Sequence, residues 1–237
     1  MDLKINEIDC QNPPTHFNIH RIHTVVDCSI ARNTDEYKSC LQKAEKLAQD
    51  VNPGAANASA KQRHPETILQ DALAGVLAEK GWLSYINSTF GQIAEPTEFM
   101  QANGQIDIVL NNGNRIEVRS SFVNNGVKFG VCNEKNNFKI IGNYSNLYKP
   151  GEVKKDCYVL ALFETPKEEI LRVNEINFSL IGGASNEKLK SHGFESDMVA
   201  ENDLTQTRTK YKVLRIADAG DIKGFDTWIQ SIGYPKQ

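Results

Sequence analysis

Asp107, Glu117 and Arg119 are the residues of this chain whose types and spacing best match a chemistry. They lie in Gln105-Ile106-Asp107-Ile108-Val109-Leu110, a short Asn/Gly turn, and Arg115-Ile116-Glu117-Val118-Arg119-Ser120-Ser121. Both arms alternate aliphatic and polar residues, and Asn111-Asn112-Gly113-Asn114 tolerates positive φ, so the segment reads as a β-hairpin. Side chains alternate with period two, so the loop length decides the chemistry. A two-residue Asn112-Gly113 turn sets Asp107 opposite Val118 and sends Glu117 to the other side of the sheet. An odd loop or a bulge pairs Asp107 with Arg119 and gathers Asp107, Val109, Glu117 and Arg119 on one face, leaving Ile106, Ile108, Leu110, Ile116 and Val118 on the other. The second division separates charge from oil almost completely and is the one expected here.

Two carboxylates held together repel unless a cation lies between them, and Mg²⁺ favours a few carboxylate oxygens completed by water and substrate phosphate. Such an ion polarises a phosphodiester and activates water. The same residues also satisfy a cross-strand ion-pair ladder on a solvated face, and spacing alone weighs the two readings about equally.

Asp107 followed by Glu117-Val118-Arg119-Ser120-Ser121 resembles the PD-(D/E)XK nuclease superfamily, whose signature is an Asp on one strand and Glu-x-Lys on the next. The resemblance covers the stretch from about Glu66 to Leu214. It implies an α/β, restriction-endonuclease-like mixed sheet flanked by helices, and Mg²⁺- or Mn²⁺-dependent cleavage of nucleic acid, DNA in preference to RNA. Restriction, repair, recombination or anti-phage defence are the settings it suggests, with a homodimer or an ATPase or helicase partner. Asp107 and Glu117 would be the metal ligands. Gln105-Ile106 stands where Pro often precedes the Asp, and Arg119 stands where the family has Lys. Arg stays charged and grips phosphate oxygens as a planar fork, so Arg119 suits transition-state charge better than proton abstraction. A displaced lysine, Lys128 on the next expected strand, is one way to restore the missing group. A degenerate member that binds nucleic acid or a partner without cutting is the alternative.

An acidic residue from the first helix often completes the metal shell in this superfamily. The segment Pro65 to Lys80 reads as that helix, with Pro65 at its first position, an apolar stripe through Ile68, Leu69, Ala72, Leu73, Val76 and Leu77, and Gly81 as a stop. Glu66 is the candidate for the extra carboxylate, weighed against an ordinary first-turn interaction with the helix dipole. Gln70 is a polar candidate one turn on, and Glu95 and Glu98 are weaker ones.

The remaining chain must hold these residues in place. With 237 residues, 40% of them hydrophobic and 24% charged, it is long enough for one sizeable core. No apolar run approaches the ~20 residues that cross a bilayer, and the first ten residues lack a signal-peptide layout, so a cytoplasmic protein without a membrane association is expected. The five cysteines form no CxxC pair and read as reduced thiols. His16 and His20 have the spacing of a helical zinc pair, but their surroundings are strand-like and no HExxH is present.

A net charge of −3 argues against coating nucleic acid by bulk electrostatics. Residues 124 to 155, however, carry six lysines against two glutamates, a net +4, interleaved with Phe129, Phe138, Tyr144 and Tyr148. Lys128, Lys135 and Lys139 are the candidates there for holding phosphates; a lysine-decorated sheet edge is the competing reading. Residues 1 to 60 read as an N-terminal extension, with a strand around Phe17 to Cys28, a helix around Asp35 to Asp50 and a linker at 52 to 60. The 61 to 237 domain continues with strands near Val127 to Cys132, Tyr158 to Phe163, Ile176 to Ile181 and Lys210 to Ile216. A Gly182-Gly183 turn, a short helix at Asn186 to Ser191, a polar loop from Gly193 to Arg208 and a helix from Asp221 to Ile232 complete it.

Overall fold

A computed structural model describes residues 1–11, 20–50, 63–97, 106–133, 138–144, 153–198 and 209–237. The architecture is mixed α/β. Strands β1 (Asp2–Gln11), β2 (His20–Ala31), β3 (Ala94–Pro96), β4 (Ile108–Leu110), β5 (Arg115–Phe122), β7 (Cys157–Phe163) and β8 (Glu175–Ser185) form one seven-stranded sheet in the order β1-β2-β8-β7-β5-β4-β3. Its pairs are antiparallel except β5 with β7. A second sheet has the order β6-β10-β9, from β6 (Lys139–Tyr144), β9 (Phe194–Met198) and β10 (Thr209–Arg215). Among the described residues five α-helices accompany them: α1 (Asp35–Asp50), α2 (Pro65–Phe90), α3 (Gly126–Cys132), α4 (Asn186–His192) and α5 (Ile222–Ser231).

The sheet is coated on both faces, which is why β7 is buried along its whole length and reads as an unbroken apolar run. On one face Ile108, Ile116, Val159, Ala161, Phe163 and Phe178 pack against α1, α2 and α5. On the other, Tyr158, Leu160 and Leu162 meet residues of α3, α4 and the small sheet. The N-terminal 1 to 60 segment supplies β1, β2 and α1, and β2 pairs with β8, so this segment and the rest of the chain share one sheet. Its linker at 52 to 60, along with His16 and Lys135, lies outside the described residues.

Several elements depart from the expectations. The first residues, for which no element was expected, form β1, which pairs with β2 over its whole length. Val127 to Cys132, expected as a strand, is helix α3. Its apolar residues Val127, Gly130 and Val131 fall at three- and four-residue spacing and are the buried ones, a helical pattern too short to outweigh β-branched composition. Cys10 and Cys132 form a disulfide that ties β1 to the end of α3, correcting the expectation of five thiols, while Cys28, Cys40 and Cys157 are buried and free. A pairing across 122 residues leaves no local spacing to read.

Gly81 does not stop α2, which runs on to Phe90. A Cβ at Gly81 would sit 2.9 Å from the Phe178 ring, so the glycine is there to let the helix approach the sheet. That ring stacks on Phe163 at 4.7 Å and has little room to yield. Gly182-Gly183 is not a terminal turn either. Both residues lie inside β8, where the register with β7 shifts, and Gly182 adopts a φ of 109° against the Gly220 carbonyl.

The two α2 glycines should therefore respond in opposite senses. Gly75 has nothing within 4 Å of a built Cβ, so Gly75→Ala should stabilise by about 0.5–1 kcal/mol through helix propensity. Gly81→Val should cost about 1–3 kcal/mol by overpacking. Urea unfolding of both variants reads the signs; equal effects would refute the close-approach role of Gly81.

Candidate active site

The hairpin that carries the acidic pair closes through three loop residues. Gly113, at φ 84°, donates its N–H to the Leu110 carbonyl at 2.7 Å, and Leu110 donates to the Asn114 carbonyl at 2.9 Å. This is a tight turn followed by a left-handed glycine, and it gives the odd parity that places the charges together. The register differs from the expected one by two residues, which keeps the faces. Ile108 faces Ile116 and Val109 faces Arg115, so Asp107 comes opposite Glu117 rather than Arg119.

Ile116 belongs to the core beneath α2, with Val118 packed against it. Glu117 and Arg119 therefore project to the opposite face, in register with Tyr158 and Leu160 of β7. Regular pairing of β4 with β5 ends at Ile108. The next hydrogen-bonded pair of the ladder would be Ile106 with Val118; instead the Val118 N–H donates to Asp107 Oδ2 at 2.7 Å, and the Ile106 carbonyl accepts from the Thr97 hydroxyl. A side-chain carboxylate thus ends the ladder, and that hydrogen bond fixes Asp107 beside Glu117.

Glu117 is only 4% exposed. One of its oxygens lies 2.9 Å from the Arg119 guanidinium and the other 2.9 Å from Lys155 Nζ. Lys155 is wholly buried and precedes β7, the parallel neighbour of β5. Its backbone is anchored where Arg115 donates to Asp156 Oδ2 and Asp156 donates back to the Arg115 carbonyl. Tyr158, paired in register with Glu117, donates its hydroxyl to Asn143 of β6, closing the site from the side of the small sheet.

Among the described residues Asp107 has no such pair of cations. Burial and the Glu117 charge push its carboxyl up to about 7, against the hydrogen bond from Val118. The Glu79 carboxylate of α2 pushes the same way. Burial raises the Glu79 carboxyl itself, opposed by Lys43 at 2.6 Å. Glu79 also lines a cleft of about 480 Å³ between α1 and α2, with Glu36, Lys43, Lys80, Leu83 and Pro96.

The structure brings Asp107, Glu117 and Arg119 together but not Glu66. Glu66 is half-buried, pairs with Arg172 at 2.8 Å, and stands roughly 20 Å from Glu79 along the helix axis. Gln70 is buried on the same remote half of α2. Glu95 lies opposite Val109 on the Asp107 face but is exposed, and Glu98 lies outside the described residues. Lys128 is exposed on α3, whereas Lys155 Nζ lies against Glu117. Lys139 is half-buried on β6.

Sequence reasoning missed Lys155 and Glu79. Lys155 counts among the six lysines of the basic 124 to 155 segment, and only the parallel pairing, a long-range fact, turns it inward. Glu79 had a signal: at 3.6 residues per turn it falls on the apolar stripe of α2, between the directions of Ile68 and Ala72, where a carboxylate is out of place.

Among the described residues no cluster of three or more His, Cys, Asp or Glu side chains forms a closed metal shell. The acidic pair is a two-carboxylate site. Mg²⁺ is commonly held by one or two carboxylates plus water and substrate phosphate, so a desolvated Asp107 beside a charged Glu117 fits a hard cation.

No family model matches the chain, and no solved structure matches it. It is similar to an uncharacterized protein of Methanocaldococcus jannaschii, 25% identical over 221 residues, covering 76% of each chain.

Two predictions follow from the electrostatics. The folded Asp107 carboxyl titrates near 7, above its ordinary range, so the folded state holds this proton more tightly than the unfolded chain. Its contribution to stability is fullest below pH ~4 and declines as pH rises towards ~7. In chelator, denaturant titrations at pH 5 and pH 7.5 should show wild type losing stability relative to Asp107→Asn over that interval; parallel behaviour would refute the shift. Removing one partner of a buried ion pair costs about 3–5 kcal/mol, so Lys155→Ala should fall in that range by urea unfolding, and a loss under ~1 kcal/mol would refute the pairing.

Proposed function

We propose that the protein is a metal-dependent nuclease with a restriction-endonuclease-like fold, hydrolysing phosphodiester bonds in DNA. The observation that carries this reading is the desolvated carboxylate pair Asp107 and Glu117 beside two fixed cations, Arg119 and Lys155. An ion-pair ladder on a solvated face is a poorer account, since Glu117 and Lys155 are buried and Asp107 is left opposite a like charge.

Asp107 and Glu117 would hold the metal, Mg²⁺ or Mn²⁺. When bound, the ion supplies Lewis acidity to the scissile phosphate and lowers the pKa of attacking water. The chain's own residues do the rest. The Val118 N–H orients the Asp107 carboxylate. Arg119, fixed by Glu117, presents a permanent positive fork suited to phosphate oxygens as charge builds on them. Lys155 holds the other Glu117 oxygen and stands where a lysine can donate to or orient the nucleophilic water, the part Arg119 cannot take. Glu79, a carboxylate raised by burial, is a proton acceptor at the edge of the same site in place of Glu66.

Purified protein should cut supercoiled, linear or single-stranded DNA in Mg²⁺ or Mn²⁺ and not in EDTA. Asp107→Ala and Glu117→Ala should lower the rate by at least a hundredfold, and Lys155→Met should lower it more than Lys128→Ala. Absence of metal-dependent cutting on all three substrates would sink the reading, as would cutting that survives Asp107→Ala.

A further inference from the structure

A second cleft, of about 440 Å³, opens where β2, the end of α3, β6, β9 and β10 meet. It is lined by Arg21, Lys139, Arg215, Asn133, Phe138 and Phe194 among others, and none of its described lining residues is acidic. Arg215 of β10 and Lys139 of β6 are direct cross-strand partners. Like charges directly opposite on an antiparallel pair destabilise it, so an arrangement of this kind calls for an anion between them.

Arg21 is held in place rather than left to wander. It donates to the Val131 carbonyl at 2.6 Å and lies 2.9 Å from His23 Nδ1. His23 is buried with Nε2 2.9 Å from the Ile181 carbonyl, which only an Nε2–H can satisfy, so Nδ1 accepts from Arg21. The disulfide between Cys10, the strand partner of Arg21, and Cys132 pins the same corner.

At the rim, Phe194 is 38% exposed, large for an aromatic ring, and the Arg215 guanidinium lies 5.7 Å from its centroid. An exposed ring beside three cations offers a flat apolar face next to a phosphate-sized positive field, the combination that binds a base with its phosphate.

We propose that this cleft binds a nucleotide unit, with the base on Phe194 and its phosphate between Arg215, Lys139 and Arg21. The same chemistry is presented by a free mononucleotide and by one unit of a strand. The site is separate from the acidic pair. Three strand spacings, about 14 Å, lie between β2 and β5. Strand β6 links the two, with Lys139 at the cleft and Asn143 at Tyr158 beside the acidic site. For a strand, the cleft deepens the nuclease reading, and rests on it, by anchoring substrate several nucleotides from the bond that is cut.

The test is binding by the full chain in EDTA, with AMP, a 5′-phosphorylated twelve-nucleotide single strand and inorganic phosphate as probes, read by calorimetry or anisotropy. AMP or the oligonucleotide should bind, and the arm that binds more tightly identifies the source. Phe194→Ala and Arg215→Gln should each weaken that binding at least tenfold. Arg215→Gln should also raise the melting temperature of the free protein at low salt, because it removes a repulsion; a residue with only a structural role would lower it. AMP, too small to reach the acidic pair from the cleft, should bind Asp107→Asn as it binds wild type, which separates this proposal from the nuclease reading. No binding of either nucleotide probe, binding unchanged in the variants, or phosphate bound as tightly as AMP would overturn it.

Discussion

The parallel pairing of β5 with β7 is the constraint on which the rest of the molecule depends. Parallel neighbours cannot be joined by a hairpin, so the chain must leave the sheet and return. The crossover between them contains α3 and β6, and β6 then recruits β10 and β9 into the second sheet. It also returns along β5 in a register that sets Asp156 against Arg115 and delivers Lys155 beneath Glu117. One pairing thus seeds the small sheet and supplies the buried cation of the acidic site.

That cation makes the local electrostatics asymmetric. Glu117 is gripped on both oxygens, whereas Asp107 faces it with one backbone hydrogen bond and a second carboxylate, Glu79, in range. Buried ion pairs are weak contributors to stability compared with apolar replacements of the same volume. The presence of one here, beside a carboxylate whose proton is held near neutrality, is easier to understand as preparation for charge chemistry than as reinforcement of the core.

Much of the hairpin was legible because period-two alternation is strong where one face is apolar. Ile108, Leu110 and Ile116 left little choice of face, and the odd loop followed. The register itself was not legible, because loops of one parity differ only in which of Asn111 to Asn114 turns, and the choice depends on where glycine takes its left-handed φ. Helix α1 matched its expected span, and α5 matched to within a residue, since Asp221 is the N-cap of a helix with a clear apolar stripe. Helix α2 was cut short in the reading because a glycine looks the same whether it ends a helix or lets it touch a sheet. The disulfide and Lys155 were hidden because each is decided by a pairing distant in sequence, and α3 because packing outweighs its β-branched composition.

The carboxylate of Asp221 has a consequence for how the chain acquires its shape. One oxygen caps α5 at Gly224, and the other accepts the backbone N–H of Thr24 in β2, 197 residues earlier. Next to it, β2 also awaits β8. At a ribosomal pace of ~5–20 residues per second, β2 emerges roughly 10–40 s before the group that completes its bonding. For most of that interval the β1–β2 hairpin has no β8 at its edge, and α1 and α2, made earlier, are the helices available to cover its apolar side. The molecule is therefore one whose early-made strands depend on its late-made residues, with the slow, long-range closure that follows from such an order.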